Sequence, residues 1–426
     1  MKKSTLALLP FAALASGGSA MAQTSVTMFG VIDNSVSSYR NQARGVLGNT
    51  QTLSQTMLAN SAYSSSRLGF RGFEDLGGGL AASFWLEAGV NTDDGTGTAT
   101  NGGLVFNRRS TVSLSSNGFG ELRLGRDYTP TYWNDNLFDP FGVNGVGTSL
   151  IATANGLSSP GSQRSGWSNG QYSRASNSIG YFLPASLGGF YGQAMYAFNE
   201  QTSYDPGGLT PPGAAAVIVN PALAVADNAR AGRYAGARLG YANGPMDVAL
   251  AYGSSTTGSN YYLGTTTTID IWNISGSYDF GIAKAFAEYT HNNMKTDYAI
   301  NAFNPFGTTN PGFNGILLGA TIPLGSGLIR AAYSAVRYSN SNFNIAGTSA
   351  NYFGFNKQPE ADKFALGYVY NFSKRTAAYA SVGYVSNRNG AALTVGGQGY
   401  SIVPTAGQLP TPGSSVGYDI GLRHSF

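Results

Sequence analysis

From Lys363 to Phe372 large apolar side chains recur at every second position (Phe364, Leu366, Tyr368, Tyr370, Phe372), alternating with Lys363, Ala365, Gly367, Val369 and Asn371. A period of two sends successive side chains to opposite faces of a β-strand. The C-terminus repeats the pattern with Val416, Tyr418, Ile420, Leu422, His424 and Phe426, and shorter instances run from Met246 to Tyr252, Trp272 to Phe280 and Ile316 to Ile322. Marking every such segment predicts sixteen strands, starting near residues 25, 61, 79, 104, 120, 173, 189, 231, 245, 267, 282, 313, 327, 361, 375 and 414. Seven connections are tight, with the Gly, Asn, Pro and Ser chemistry of turns, as at Gly77-Gly78, Asn117-Gly118 and Asn243-Gly244-Pro245. Eight are long, near residues 39–60, 92–102, 128–171, 200–230, 256–266, 296–312, 341–360 and 389–413.

An even number of strands with short and long connections in turn predicts an all-β, transmembrane, antiparallel 16-stranded β-barrel. A soluble sandwich also has one apolar and one polar face, but rarely exceeds roughly 250 residues as one domain. This chain is an unbroken series of similar segments across most of its 426 residues. Aromatic residues also gather at strand ends (Tyr241, Tyr278 and Phe280, Tyr370 and Phe372), as interfacial girdles do.

Composition agrees. The 59 glycines and the abundance of Tyr (26) and Phe (23), with few Lys, Glu and Leu, favour strands over helices. Lys2 and Lys3, the apolar run Leu6 to Ala15 and the small residues ending Ala20-Met21-Ala22 form a cleavable export signal over residues 1–22, leaving one barrel domain over 23–426. The apolar run is too short to span a bilayer as a helix, which needs about 20 residues. Losing the two lysines lowers the formal charge from +4 to +2, so no nucleic-acid partner is expected. The absence of cysteine excludes a disulfide scaffold.

The stretch from Tyr128 to Gln171 is too long for an ordinary connection. It carries Trp133, Phe138, Phe141 and Trp167 but only three charges, Asp135, Asp139 and Arg164. Such a loop is built to pack, and it is expected to fold into the barrel and narrow it. Around it in sequence stand Arg67, Arg71, Arg108, Arg109, Arg123, Arg126 and Arg174, against Glu87 and Asp127. Strand parity puts Arg67 and Arg71 on the face opposite Leu68 and Phe70. Arg108 shares the parity of Val112 and Leu114, so it turns inward only if a bulge intervenes, and either way one of Arg108 and Arg109 faces the lumen.

Six stretches together resemble the Gram-negative general porins: Ser25 to Asp33, Ser66 to Leu80, Ser83 to Glu87, Phe106 to Ser110, Phe119 to Pro130 and Gly421 to Phe426. The resemblance implies a trimeric sixteen-stranded diffusion channel in the outer-membrane lipid, passing small hydrophilic solutes and inorganic ions without a cofactor. It implies an inward third loop with acids opposite a wall of arginines, and a C-terminal aromatic, here Phe426, read by the outer-membrane assembly machinery. Matched by position, the constriction is expected to hold Arg67, Arg108, Arg164, Arg174, Asp135 and Asp139, and the residues around them add Arg109 and Glu87. The arginine excess predicts a weak preference for anions. A channel specific for a sugar or an anion is the nearest alternative, with Trp133 or Trp167 as a stacking surface. A barrel hydrolase fits poorly: Gly413-Ser-Ser-Val-Gly417 matches G-x-S-x-G but enters a strand where that elbow needs a helix, and there are two histidines, His291 and His424. No spacing of His or carboxylates suggests a metal.

Overall fold

The computed structural model describes residues 25–44, 49–156, 169–201, 230–260, 265–298, 310–339, 358–396 and 412–426. They form β1 (Ser25–Arg44), β2 (Thr50–Asn60), β3 (Arg67–Gly77), β4 (Leu80–Asn91), β5 (Thr96–Gly97), β6 (Arg109–Ser116), β7 (Gly120–Tyr128), β8 (Arg174–Phe182) and β9 (Phe190–Ala197). There follow β10 (Tyr234–Asn243), β11 (Met246–Asn260), β12 (Thr265–Asp279), β13 (Lys284–Tyr298), β14 (Gly312–Leu324), β15 (Gly327–Tyr338), β16 (Glu360–Asn371), β17 (Thr376–Arg388) and β18 (Pro412–Ser425). All neighbours are antiparallel, and β1 closes the sheet by pairing with β18 from Val31↔Ser425 to Ala43↔Pro412. β2 and β3 both pair with β1 and make one interrupted stave, while β5 is a two-residue excursion paired to the end of β4. The result is a closed barrel of sixteen staves. Seven connections of two to seven residues lie at one end, with both termini of the barrel, and eight at the other, of which β1–β2 and β11–β12 are tall hairpins closed by residues 45–49 and 261–264 rather than the long loops expected at 39–60 and 256–266.

The alternation read in the sequence sets the faces. On β16 Phe364 is 62% and Leu366 54% exposed, whereas Lys363 is 1% and Ala365 7% exposed on the inner side. The same outward belt recurs on most staves, with Ile420, Leu318, Leu250 and Leu239 all more than half exposed. So much contiguous apolar surface fits a hydrocarbon environment and not water.

The first stave pair departs from expectation. The long connection expected near residues 39–60 is instead a tall hairpin of β1 and β2, and the second stave starts at residue 50, not 61. Thr, Gln and Ser occupy both faces of β2, so no apolar alternation marked it. Residues 61–66 then break the stave and kink inward. The backbone N–H groups of Tyr63 and Ser64 donate to one carboxylate oxygen of Asp33 (2.8 and 2.5 Å), and the Tyr379 hydroxyl donates to the other. The fourth stave, expected from residue 104, begins at Arg109, with irregular backbone before it.

The third long connection folds inward. Helix α1 (Pro130–Leu137), a 3-10 turn at Gly145–Gly147 and helix α2 (Leu150–Ala154) lie in turn against β9–β12, β16–β18 and β14–β16. The wall beneath is cut to fit. A Cβ on Gly319 would sit 2.4 Å from Pro140 Cγ, and one on Gly315 would sit 2.7 Å from Ile151 Cγ1, so only glycine lets the loop this close. Leu150 and Ile151 are fully buried there, contributing about 1.5–3 kcal/mol each by removal from water.

Candidate pore constriction

The register of β3, β4, β6 and β7 gathers charge on one side of the lumen. Gly69 lies opposite Glu87 and Arg71 opposite Trp85, then Glu87 opposite Arg109 and Ser113 opposite Arg123, all on the inner face. Glu87 is the hub, with Arg108 Nε at 2.6 Å and Arg67 Nε at 3.8 Å from its carboxylate. Asp127 is a second hub, paired with Arg123 and, at 3.9 Å, with Arg109. Arg123 also meets Glu121 at 2.9 Å. The Tyr128 hydroxyl accepts from Arg108 Nη2 (3.1 Å) and Arg174 Nη2 (2.8 Å), and the Arg174 guanidinium lies 4.3 Å over the Tyr128 ring. Arg109 covers Trp85 at 4.7 Å, and Arg71 lies 5.5 Å from the same ring. Stacking and carboxylate bonds hold the planar guanidiniums in place without neutralising all of them. Arg126 instead ties the carbonyl of Asn107 to the Ser176 hydroxyl.

Five of the sequence-derived residues therefore meet here: Arg67, Glu87, Arg108, Arg109 and Arg174. The Arg108 and Arg109 pair resolves without a choice. Arg109 obeys strand parity, while Arg108 precedes β6, so parity does not bind it, and each reaches an inward carboxylate. Arg164, with Trp167, lies outside the described residues.

Asp135 and Asp139 require correction. Both were expected at the narrows, and both are buried, at 1% and 5% exposure. Asp135 turns from α1 into the wall, accepting from the Tyr172 hydroxyl and from Asn273 Nδ2 (2.6 Å), beside the carboxyl of Glu288. Asp139 accepts the N–H groups of Phe141 (2.8 Å), Val143 (3.2 Å) and Ser149 (3.3 Å), which ties the loop tip to itself. Burial pushes both carboxyls above their ordinary range, against the pull of these donors. Among the described residues of the loop, those left half-buried or exposed, such as Trp133, Asn136, Leu137, Pro140 and Asn144, are uncharged. Phe138 and Phe141, at 1% and 2% exposure, anchor the described part of the loop to the wall.

Further inward cations, outside the set expected at the constriction, hold the third loop. Arg238 on β10 donates from Nε to Asn134 Oδ1 (2.5 Å) and from Nη2 to the Tyr191 hydroxyl (3.2 Å), pinning α1. Arg330 on β15 sits between Tyr63 (4.6 Å) and Phe141 (4.5 Å), joining the inward kink to the loop tip. Lys363 donates to the carbonyls of Thr148 and Val395. Parity against Leu239, Ile329 and Phe364 could have placed all three inside. Ser415, the centre of the G-x-S-x-G match, is buried on β18 and accepts the Val395 N–H (3.1 Å).

Residues 6–390 match the sequence profile of the Gram-negative porin family. The chain is 34% identical over 427 residues to outer membrane porin protein 32 of Delftia acidovorans, covering all of both chains. It is 29% identical over 419 residues to an outer membrane porin protein of Bordetella pertussis, covering 91% of this chain and 95% of that one. Among solved structures it resembles the anion-selective porin from Comamonas acidovorans, with a TM-score of 0.69, 32% identity and coverage of 95% of this chain and 100% of that one.

Proposed function

This chain belongs to the Gram-negative porin family, and we propose from that premise that its water-filled channel is a general diffusion pore with a weak anion preference. It lies in the outer membrane and passes small hydrophilic solutes and ions. One observation carries the selectivity: six arginines (Arg67, Arg71, Arg108, Arg109, Arg123, Arg174) gather about three carboxylates (Glu87, Glu121, Asp127), across from a loop whose exposed side chains among the described residues are uncharged. A surplus of guanidinium in a narrow lumen lowers the free energy of a passing anion and raises that of a cation. Among the described residues Arg71 and Arg174 have no carboxylate partner, which leaves their charge to the solvent of the pore. The solved relative named as anion-selective, 32% identical, supports the same sign. Reversal potentials across a planar bilayer in a KCl gradient test this reading: a positive chloride-to-potassium preference is expected, and a cation preference overturns it.

The mature protein is further proposed to start at Gln23, to assemble as a homotrimer and to engage the assembly machinery through its C-terminal strand. The Phe426 ring packs over Gly30 at the turn-lined end and is 42% exposed. Intact and native mass measurement of the extracted protein checks the start and the stoichiometry.

A further inference from the structure

On the turn-end side of the constriction, the inner face of β1, β3 and β4 carries aromatic rings where a water-filled barrel is otherwise lined by polar side chains. Cross-strand register puts Phe29 opposite Gly69, Arg71 opposite Trp85 and Phe73 opposite Ser83, all on the face that bears Glu87. Arg71 lies four residues from Arg67 toward the turns, about 13 Å along the strand. A Cβ on Gly69 would sit 2.3 Å from Phe29 Cζ, so this ring reaches over the neighbouring strand. Phe29 and Trp85 stand 4.8 Å apart between centroids, and the Arg71 guanidinium lies 5.7 Å from the first ring and 5.5 Å from the second. Phe73 is 52% exposed, Arg71 is exposed, and Phe29 and Trp85 are half-buried, so ring surface faces pore water. Arg71 differs from the other arginines of this wall. Each of those donates to a carboxylate, hydroxyl or carbonyl, whereas Arg71 has no such acceptor among the described residues.

We propose that this patch is a binding step for aromatic carboxylates passing through the pore, the carboxylate on the open guanidinium of Arg71 and the ring against Phe29 and Trp85. It rests on the anion preference inferred above and adds a chemical class to it. Charge and ring surface side by side suit a solute that carries both features in one molecule. A planar guanidinium takes a carboxylate through two parallel bonds. The two rings beside it offer offset or edge-to-face contact to an aromatic group attached to that carboxylate. An inorganic anion would use only the guanidinium, and an uncharged aromatic only the rings. Glu87 does not compete for Arg71, because it is held by Arg108 at 2.6 Å and by Trp85 Nε1 at 3.1 Å. The patch is open to the lumen, so a bound solute can leave it again, as conduction requires.

Conductance of the full chain in planar bilayers tests the proposal, with benzoate or cyclohexanecarboxylate added to the KCl. The two acids carry the same charge on rings of similar size, and only benzoate has a π-face. Benzoate should lower the chloride current saturably, with half-block at about threefold lower concentration than cyclohexanecarboxylate. The double variant Phe29→Leu, Trp85→Leu should bring the two acids to the same half-block. Arg71→Gln should weaken block by both about tenfold, as loss of charged hydrogen bonds allows. Equal block by the two acids in the parent protein, or no block by either, overturns the proposal, and this comparison needs no variant to fold. A difference that survives loss of the rings, or block unchanged in Arg71→Gln, overturns it as well. If any of these accompanies an anion-preferring reversal potential in KCl, the aromatic step alone is struck, whereas a cation preference strikes the diffusion-pore selectivity too.

Discussion

The two sides of the lumen use inward charge for opposite ends. On β3–β8 the arginines stay half-buried or exposed beside the pore, several of them over buried carboxylates, as with Arg67 and Arg108 at Glu87. On β12–β18 the inward charges beneath the third loop are sealed: Lys363 is 1%, Arg330 3% and Glu288 5% exposed. A charge in contact with pore water acts on passing ions. One closed under a loop is too far from them in effect, and its bonds instead fix where that loop lies. Counting inward charges around a barrel therefore does not measure its selectivity; only those on the open side count.

The contrast breaks hardest at Lys363. Lys363→Met leaves the carbonyls of Thr148 and Val395 without a buried donor, and should cost about 2–4 kcal/mol. Thermal melting in detergent should fall and single-channel current should become noisy, while the anion preference stays. If preference changes and stability does not, the sealed side is electrically open and the division fails. Next comes Gly319→Val, whose Cβ meets Pro140. Overpacking of about 1–3 kcal/mol should lift the loop and change the conductance more than the reversal potential.

On the open side the effects are smaller and electrical. Arg108→Ser or Arg67→Ser removes one unit of charge, worth about 0.5 kcal/mol to each ion, with opposite sign, at about 8 Å in water-like dielectric, so the chloride-to-potassium ratio should fall roughly fivefold. Melting temperature should move little for Arg67→Ser, because its contact with Glu87 is long, at 3.8 Å, and Glu87 keeps Arg108 at 2.6 Å. No change in ratio for either variant would place these arginines outside the ion path. Smallest is the response to salt. Raising KCl from about 0.1 to 1 M shortens the screening length from about 10 to 3 Å, and the preference should fade smoothly across that range.

Most of the barrel was legible because alternation is local. Each stave shows its two faces within a handful of residues, and Lys363, next to the outward Phe364, already marks an inward lysine. β2 was missed for the complementary reason: rising above the apolar belt, it has polar residues on both faces and no period to read. Arg108 was ambiguous because parity ceases to apply where the strand ends, one residue later.

By itself the sequence determined the strand count, the face of each side chain within a strand, the inward-folding loop and the excess of arginine, since all follow from short-range periodicity and composition. Only the tertiary structure decided which inward charges touch water. Asp135 and Asp139 sit in a loop whose acids were expected at the narrows, yet closure of the barrel brings Asn273, Tyr172 and Glu288 to the first while the loop's own backbone wraps the second. Exposure depends on what folds over a group from across the lumen, more than a hundred residues away in the chain for Asn273, and no local pattern encodes that.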